Sequence, residues 1–447
     1  MHIDILGIGG TFMLGIARLA LALGHRVTGA DANLYPPMSD QLRDLGVPVR
    51  EGYAPSGLRP APDLVLIGNA LSRGNASVEY ILDRRLSYTS GPAWLYQAVL
   101  RERDVIAIAG THGKTTVSSL VSWMLDACGQ ECGFLVGGVV ENFGYSARLG
   151  SVRAFVIEAD EYDTAFFDKR SKFLHYAPST LVINNLEFDH ADIFPDLAAI
   201  QRQFHHLIRC LPRSALILRP SNCPAVDDLL AQGVWSAVET FGGDSGCTWR
   251  HGGLRDEAFS LTPPDGQVLR AVTPLLGEHN VANATVATAA AAHAGCAPAA
   301  AIAALTTFAN VKRRLECRGT VRGVTVYDDF AHHPTAIAAS IAALRPRVRG
   351  RLLAVTELRS NTMRLGVHRD TLGAALAAAD RAMVLAPSSL NWDVGQALAG
   401  LADVGLYADS AALVAAVAAT AQADDTVLVM SNGGFDNVHE RLLVALA

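Results

Sequence analysis

Along this chain, short apolar runs alternate with stretches whose apolar residues recur every three or four positions. The first run, "HIDIL", enters a glycine turn, "GIGGTF"; helical spacing follows over 13–23, then strand patterns over 26–31 and 63–71. A second block opens with the strand "DVIAIAG" at 104–110. In the helix after it Val117, Leu120, Val121, Met124 and Leu125 form one apolar face. Strand patterns then recur at 154–160, 180–185 and 214–220, and a Gly-rich region at 240–275 holds short strand candidates. A third block carries strands at 324–329, 351–357, 381–387 and 426–432, separated by Ala-rich helices. This alternation predicts an α/β protein with three domains and largely parallel sheets. Ligands of such sheets sit beyond the carboxyl ends of the strands, so chemistry is expected there.

Composition narrows the class. A length of 447 residues fits about three domains at roughly 150 residues each. The net charge of −6 and the absence of a basic run beyond "VKRR" at 311–314 argue against nucleic-acid binding. The Ala-rich run at 284–305 is interrupted by His293, Gly295 and Pro298, so it reads as a packed helical pair and not as a membrane span. The opening "MHIDILGIGG" reads as a first strand rather than a signal peptide. Seven cysteines with no C-x-x-C spacing suggest thiols in a reducing cytoplasm, not a disulfide framework. Of 37 basic residues only four are lysines: Lys114, Lys169, Lys172 and Lys312. Where arginine serves as the general cation, a retained lysine hints at a site that needs a compact ammonium.

The strand ending at Ala109 runs into "GTHGKTT", Gly110 to Thr116. Backbone N–H groups of a glycine turn at a helix start cradle anions. Lys114 can neutralise terminal phosphates, and the Thr115 hydroxyl can ligate Mg²⁺. The spacing is shorter than the usual G-x-x-x-x-G-K-[ST], with Ile108 where the first glycine normally stands. Glu158, Asp160, Glu161 and Asp163 crowd the end of the next strand, and Asn184, Asp189 and His190 the end of another; oxygen donors there suit a phosphate-bound metal. "GEHNVANATVA" brings Asn280 and Asn283 to a helix mouth, as nucleotide contacts or as caps. The adjacent pair His332–His333 lacks a usual zinc spacing. "GIGGTF" is a partial dinucleotide fingerprint: Gly7 and Gly9 fit, Phe12 does not, and Asp31 could meet a ribose hydroxyl.

These pieces in this order resemble the Mur ligase family, in which the short G-T-H-G-K-T loop is the rule. The resemblance covers essentially the whole chain. It implies a Rossmann-like domain at 1–102 for UDP-N-acetylmuramate, a P-loop ATPase at 103–312, and a Rossmann-like domain at 313–447 that receives the incoming amine. It implies ATP and Mg²⁺ as cofactors and an acyl-phosphate route to an amide. Lys114, Glu158, His190 and Arg314 take the catalytic roles, with Thr115, Glu158 and His190 on metal. Gly110, Thr111, His112, Gly113, Lys114, Thr115, Thr116, Asn280, Asn283, Arg314 and Asp329 contact the nucleotide. Substrate contacts fall to Gly9, Thr11, Asp31 and Asn69 in the first domain, and to His333, Arg359, Ser360 and Asn361 in the third. No lysine stands between Lys172 and Lys312, so the carbamylated lysine of some members is not expected.

The stretches "EADEYDTAFFDKRSKF", "YDDFAHHPTA", "RSNTMRLG" and "SNGGFDNVHERLL" are similar to the branch that joins the tripeptide L-Ala-γ-D-Glu-meso-diaminopimelate to UDP-N-acetylmuramate in peptidoglycan recycling. The alternative within the family is addition of free L-alanine. A nicotinamide-dependent dehydrogenase or a non-catalytic nucleotide switch would leave the phosphate loop or the acceptor residues without a role. Oligomeric state is not legible in the sequence.

Overall fold

The computed structural model describes residues 1–34 and 38–447. Among the described residues three large sheets follow one another along the chain, with a small antiparallel pair, Asp163–Ala165 and Asp168–Ser171, beside the second. The first has five parallel strands in the order Val49–Glu51, Arg26–Asp31, His2–Leu6, Leu64–Ile67, Tyr88–Ser90. The second has ten strands. Its centre is parallel, in the order Ala237–Gly242, Leu216–Pro220, Thr180–Ile183, Asp104–Ala109, Ala154–Glu158, Gly133–Val140. Antiparallel strands close both edges. In the third sheet Glu316–Val321 runs antiparallel to Val324–Asp329, and Thr426–Met430, Leu352–Glu357, Arg381–Leu385 and Val404–Tyr407 continue in parallel.

Central strands such as Asp104–Ala109, Thr180–Ile183 and Thr426–Met430 are buried on both faces because helices cover both sides, as parallel sheets require. Helix Lys114–Ala127 packs against helix Glu278–His293, joining Val117, Leu120 and Met124 to Val281, Ala284 and Val286. The small side chains of Ala287, Ala290 and Ala291 keep this pair tight, and helix Pro298–Ala303 completes the group, as the Ala-rich run predicts. Cys128 and Cys296, just beyond the carboxyl ends of the first two helices, are brought side by side with their Cα atoms 6.0 Å apart. Their sequence separation of 168 residues hides a pair that only helix packing brings together.

The first and second sheets share one core cluster, from Ile3, Leu14 and Leu19 through Leu135 and Phe155 to Phe204. Helix Thr11–Ala22 makes the junction. A Cβ at Gly15 would lie 3.1 Å from the Leu135 side chain, so the missing side chain is what lets the helix sit so close. Arg18 stacks over Tyr145 at 4.0 Å. Phe12, the departure from the dinucleotide fingerprint, lies in the same seam, with the Lys172 ammonium 5.7 Å from its ring centre. Among the described residues, no helix is long and apolar enough to cross a membrane.

Candidate active site

Strand Asp104–Ala109 delivers its carboxyl end to Gly110, and Gly113 starts helix Lys114–Ala127. Both glycines have positive φ, +126° and +81°. A Cβ at Gly110 would stand 2.8 Å from the Asn185 carbonyl oxygen, and one at Gly113 2.5 Å from Asn184 Nδ2. Only glycine permits this turn. His112 N–H donates to Asn185 Oδ1 at 2.7 Å, and Glu187 N–H donates to Thr111 Oγ1 at 2.8 Å, so the loop is braced by the next strand's end. Thr116 is buried in the first helical turn.

Lys114 Nζ donates to the Gly110 carbonyl at 2.7 Å and to Glu161 Oε2 at 3.1 Å. Burial alone would lower its pKa, but Glu161, Asp160 and Glu158 outweigh that and hold the ammonium above its ordinary value. Glu158 accepts from Thr115 Oγ1 at 3.1 Å and from Gly137 N–H at 2.7 Å. Burial pushes its carboxyl up, partly offset by Lys114 and these two donors. Arg314, arriving from the third domain, donates to Thr115 Oγ1 at 3.1 Å. Lys114, Thr115, Glu158 and Arg314 are thus brought together.

His190 stands on the other side of Lys114. Its Nε2 lies 3.0 Å from Glu161 Oε1, and its partner is Glu161 rather than Glu158. Burial lowers the His190 pKa, but Glu161, Asp189 and Asp160 raise it further, so the net shift is upward. Glu161 is held at about 2: burial acts upward, and Lys114 and His190 overcome it. Asp160, Glu161 and His190 each offer a donor atom within 4.8 Å of the others. Asp160 also reaches Lys172 Nζ at 3.6 Å. Lys172 is buried, and its placement beside the acidic group accords with the scarcity of lysine in the sequence. Glu161 and Lys172 are the members that motif spacing alone does not single out from their neighbours.

Asn283 Oδ1 accepts from Asn184 Nδ2 at 2.9 Å, and Asn283 Nδ2 donates to Asn280 Oδ1 at 2.9 Å, extending a polar chain from the loop to the mouth of helix Glu278–His293. Asp329 behaves differently from a free ribose contact. It is buried, and its carboxylate accepts from Leu315 N–H and Ala331 N–H, both at 2.8 Å, and from Ser340 Oγ at 3.0 Å. It therefore fixes the backbone next to Arg314.

Around the loop, the third domain lies against the second. Thr362 Oγ1 donates to Asp189 Oδ1 at 2.9 Å and Asn361 Nδ2 to Asp192 Oδ2 at 2.9 Å. Ser360 caps the short helix Asn361–Arg364 by accepting from Met363 N–H at 3.3 Å. Arg359 is exposed and lies over Gly433, where a Cβ would meet Arg359 Nη1 at 1.7 Å. His333 is buried, caps helix Pro334–Leu344 and faces Glu187 and His112. Burial, then His112 and His368, push its pKa down to about 4. In the first domain Gly9 N–H donates to Asp31 Oδ2 at 2.8 Å, folding Asp31 onto the glycine turn. Thr11 opens the adjacent helix and Asn69 follows strand Leu64–Ile67, both half-buried at the carboxyl edge of that sheet.

A phosphate cradle, a lysine, an acidic cluster and an arginine supplied by a third domain are matched along the chain by three domain descriptions. Residues 2–103 match the Mur ligase family catalytic domain, 108–291 the Mur ligase middle domain, and 313–433 the Mur ligase glutamate ligase domain. The chain belongs to the Mur ligase family. These are ATP-dependent ligases that form amide bonds. The chain is 51% identical over 452 residues to the UDP-N-acetylmuramate–L-alanyl-γ-D-glutamyl-meso-2,6-diaminoheptandioate ligase of Escherichia coli (strain K12), covering 100% of this chain and 98% of that protein. The crystal structure of a murein peptide ligase from Psychrobacter arcticus 273-4 superposes with a TM-score of 0.78 at 42% identity, covering 100% and 98% of the two chains. The UDP-N-acetylmuramate–L-alanine ligase of Cereibacter sphaeroides (strain ATCC 17025 / ATH 2.4.3) is 34% identical over 362 residues, covering 79% of this chain and 75% of that protein. Within the family, the sequence falls nearer the peptide-adding relatives.

Proposed function

We propose that this Mur ligase joins L-alanyl-γ-D-glutamyl-meso-diaminopimelate to UDP-N-acetylmuramate with cleavage of ATP. The full-length similarity to the Escherichia coli tripeptide ligase carries this reading. A third-domain surface bearing Arg359, Ser360 and Asn361 beside the catalytic cleft supports it, because a tripeptide brings carboxylates that free alanine lacks.

A carboxylate is a poor acyl donor, so the reading requires activation. The lactyl carboxylate oxygen attacks the γ-phosphorus of ATP, the bond to the β-phosphate oxygen breaks, and ADP leaves. The peptide amine then attacks the acyl carbon, loses a proton, and inorganic phosphate departs with the former carboxylate oxygen. Phosphoryl transfer of this kind depends on positioning and charge neutralisation. The helix start at Gly113–Thr115 supplies N–H donors to the phosphates, Lys114 exchanges part of its contact with Glu161 for phosphate oxygens, and Arg314 approaches from the third domain. Asn280 and Asn283 line the nucleotide side. Gly9, Thr11, Asp31 and Asn69 face the UDP-sugar.

Mg²⁺ fits the donor set. Thr115, Glu158, Asp160 and Glu161 are oxygen donors at one strand edge, the hard ligands that suit this ion, with the softer His190 imidazole beside them. Thr115 and Glu158 would hold one ion, and Glu161 with His190 another. Bound there, Mg²⁺ neutralises charge on the phosphates.

The test is phosphate release with ATP, Mg²⁺ and UDP-N-acetylmuramate, comparing the tripeptide with free L-alanine. Turnover only with the tripeptide is expected. Turnover with L-alanine and not with the tripeptide overturns the substrate assignment.

A further inference from the structure

A second group of donors lies between the phosphate loop and the third domain, apart from the oxygen-rich cluster around Glu161. His112 comes from the loop, Glu187 from the segment after strand Thr180–Ile183, and His333 from the start of helix Pro334–Leu344. One donor atom from each lies within 4.8 Å of the others. His112 Nε2 is 3.1 Å from Glu187 Oε2, and His333 Nδ1 is 3.4 Å from the same oxygen. That Nδ1 also accepts Thr335 N–H at 3.3 Å, and Glu187 Oε2 accepts from Thr335 Oγ1 at 2.8 Å, contacts that a bound metal would replace. Metal–nitrogen bonds of about 2.0–2.1 Å place neighbouring ligands of a tetrahedron roughly 3.3 Å apart. The two histidine–glutamate spacings already have that value.

A third imidazole lies beside His333. The His368 ring centre is 4.3 Å from that of His333, and His368 Nε2 is enclosed without a hydrogen-bond partner among the described residues. Two imidazoles and a carboxylate, with a third imidazole adjacent, suit Zn²⁺ and its borderline-soft neighbours better than Mg²⁺. The rings of His112 and His333 are 4.7 Å apart and tilted by 52°, so their nitrogens can converge without parallel stacking.

We propose that His112, Glu187 and His333 form a transition-metal site for Zn²⁺ or a similar dication, distinct from the Mg²⁺ site, with the His368 ring near enough to His333 to turn in or to leave the fourth position to water. His112 and Glu187 belong to the second domain, and His333 and His368 to the third. A metal bound there bridges the second and third domains beside the phosphate loop.

Co²⁺ is the probe, added to the full-length protein without nucleotide. Site occupancy predicts one equivalent with the intense visible absorption of four-coordinate cobalt, no near-ultraviolet thiolate band, and displacement by Zn²⁺. Glu187→Gln and His333→Asn weaken Co²⁺ binding by more than about tenfold. Asparagine keeps a side-chain acceptor for the helix start, so His333→Asn preserves the cap while removing the ligand. His190→Ala retains the absorption. The proposal is overturned by the absence of this absorption, by a thiolate band, by absorption unchanged in both folded variants, or by its loss in folded His190→Ala.

Discussion

Lys114 Nζ and Glu161 Oε2 lie 3.1 Å apart, both side chains almost wholly enclosed. The lysine assigned to ATP is therefore already neutralised, and phosphate must compete with a carboxylate for it. Removing one partner of a buried ion pair leaves the other charge uncompensated, at a cost of about 3–5 kcal/mol. Glu161→Gln is expected to lower unfolding stability by that order, because His190 loses its partner too. Saturating ATP and Mg²⁺ should recover part of the loss, since phosphate then meets the ammonium. Chemical denaturation with and without nucleotide checks this; equal losses in both conditions contradict it.

Arg359 and Gly433 make a second pair whose fit is steric. A methyl group at residue 433 would occupy the Arg359 guanidinium position, 1.7 Å from Nη1. Gly433→Ala should turn Arg359 away and raise KM for the tripeptide by about tenfold, the loss of one charge-assisted contact. KM for ATP should stay unchanged. If Arg359→Ala and Gly433→Ala act through the same guanidinium, the double variant is no worse than Arg359→Ala alone. Fully additive losses rule out that shared route.

Much of this was legible beforehand, for physical reasons that also explain what was not. Strand Arg26–Asp31 and strand Val324–Asp329 have the bounds read from the sequence, since both carry β-branched residues and end in aspartate at the carboxyl edge of their sheets. Val49–Glu51 and Val404–Tyr407 went unread because they are short edge strands with little buried surface. "GTHGKTT" announces its own geometry, because a positive φ at Gly110 and Gly113 is a local property. The pairing of His190 with Glu161 instead of Glu158 is not local. It depends on how the ends of strands Ala154–Glu158 and Thr180–Ile183 face one another, which no spacing along the chain encodes.

Asp328 anchors the third domain and gives it an acid limb. Its carboxylate lies 3.1 Å from His439 Nε2 and 3.4 Å from Arg313 Nε. Burial raises its pKa, but His439 and Arg313 outweigh this and hold it below 3.8. A depressed carboxylate adds stability that is fully present above its unfolded pKa and is lost as pH falls through the folded value. The wild-type urea midpoint should therefore drop below about pH 4 more steeply than that of Asp328→Asn. Parallel pH profiles for the two proteins would count against this anchor.

Asp329 and Arg314 are coupled through one peptide unit. Asp329 Oδ2 accepts Leu315 N–H at 2.8 Å, and Arg314, the preceding residue, reaches Thr115 Oγ1 at 3.1 Å. Arg313 and Leu315 both have positive φ, +64° and +50°, so this turn is strained and needs external fixing. Asp329→Ala removes an acceptor that serves three donors and should destabilise the protein by about 1–3 kcal/mol. If its main effect on catalysis is to misplace Arg314, then kcat falls by about tenfold or more while KM for ATP changes little. Arg314→Ala should lower kcat by a comparable or larger factor, and adding Asp329→Ala to it should cost almost nothing further. Should Asp329 instead bind the nucleotide directly, its substitution raises KM for ATP and the two losses multiply. A double-mutant cycle on kcat and KM therefore separates a positioning carboxylate from a ribose-binding one.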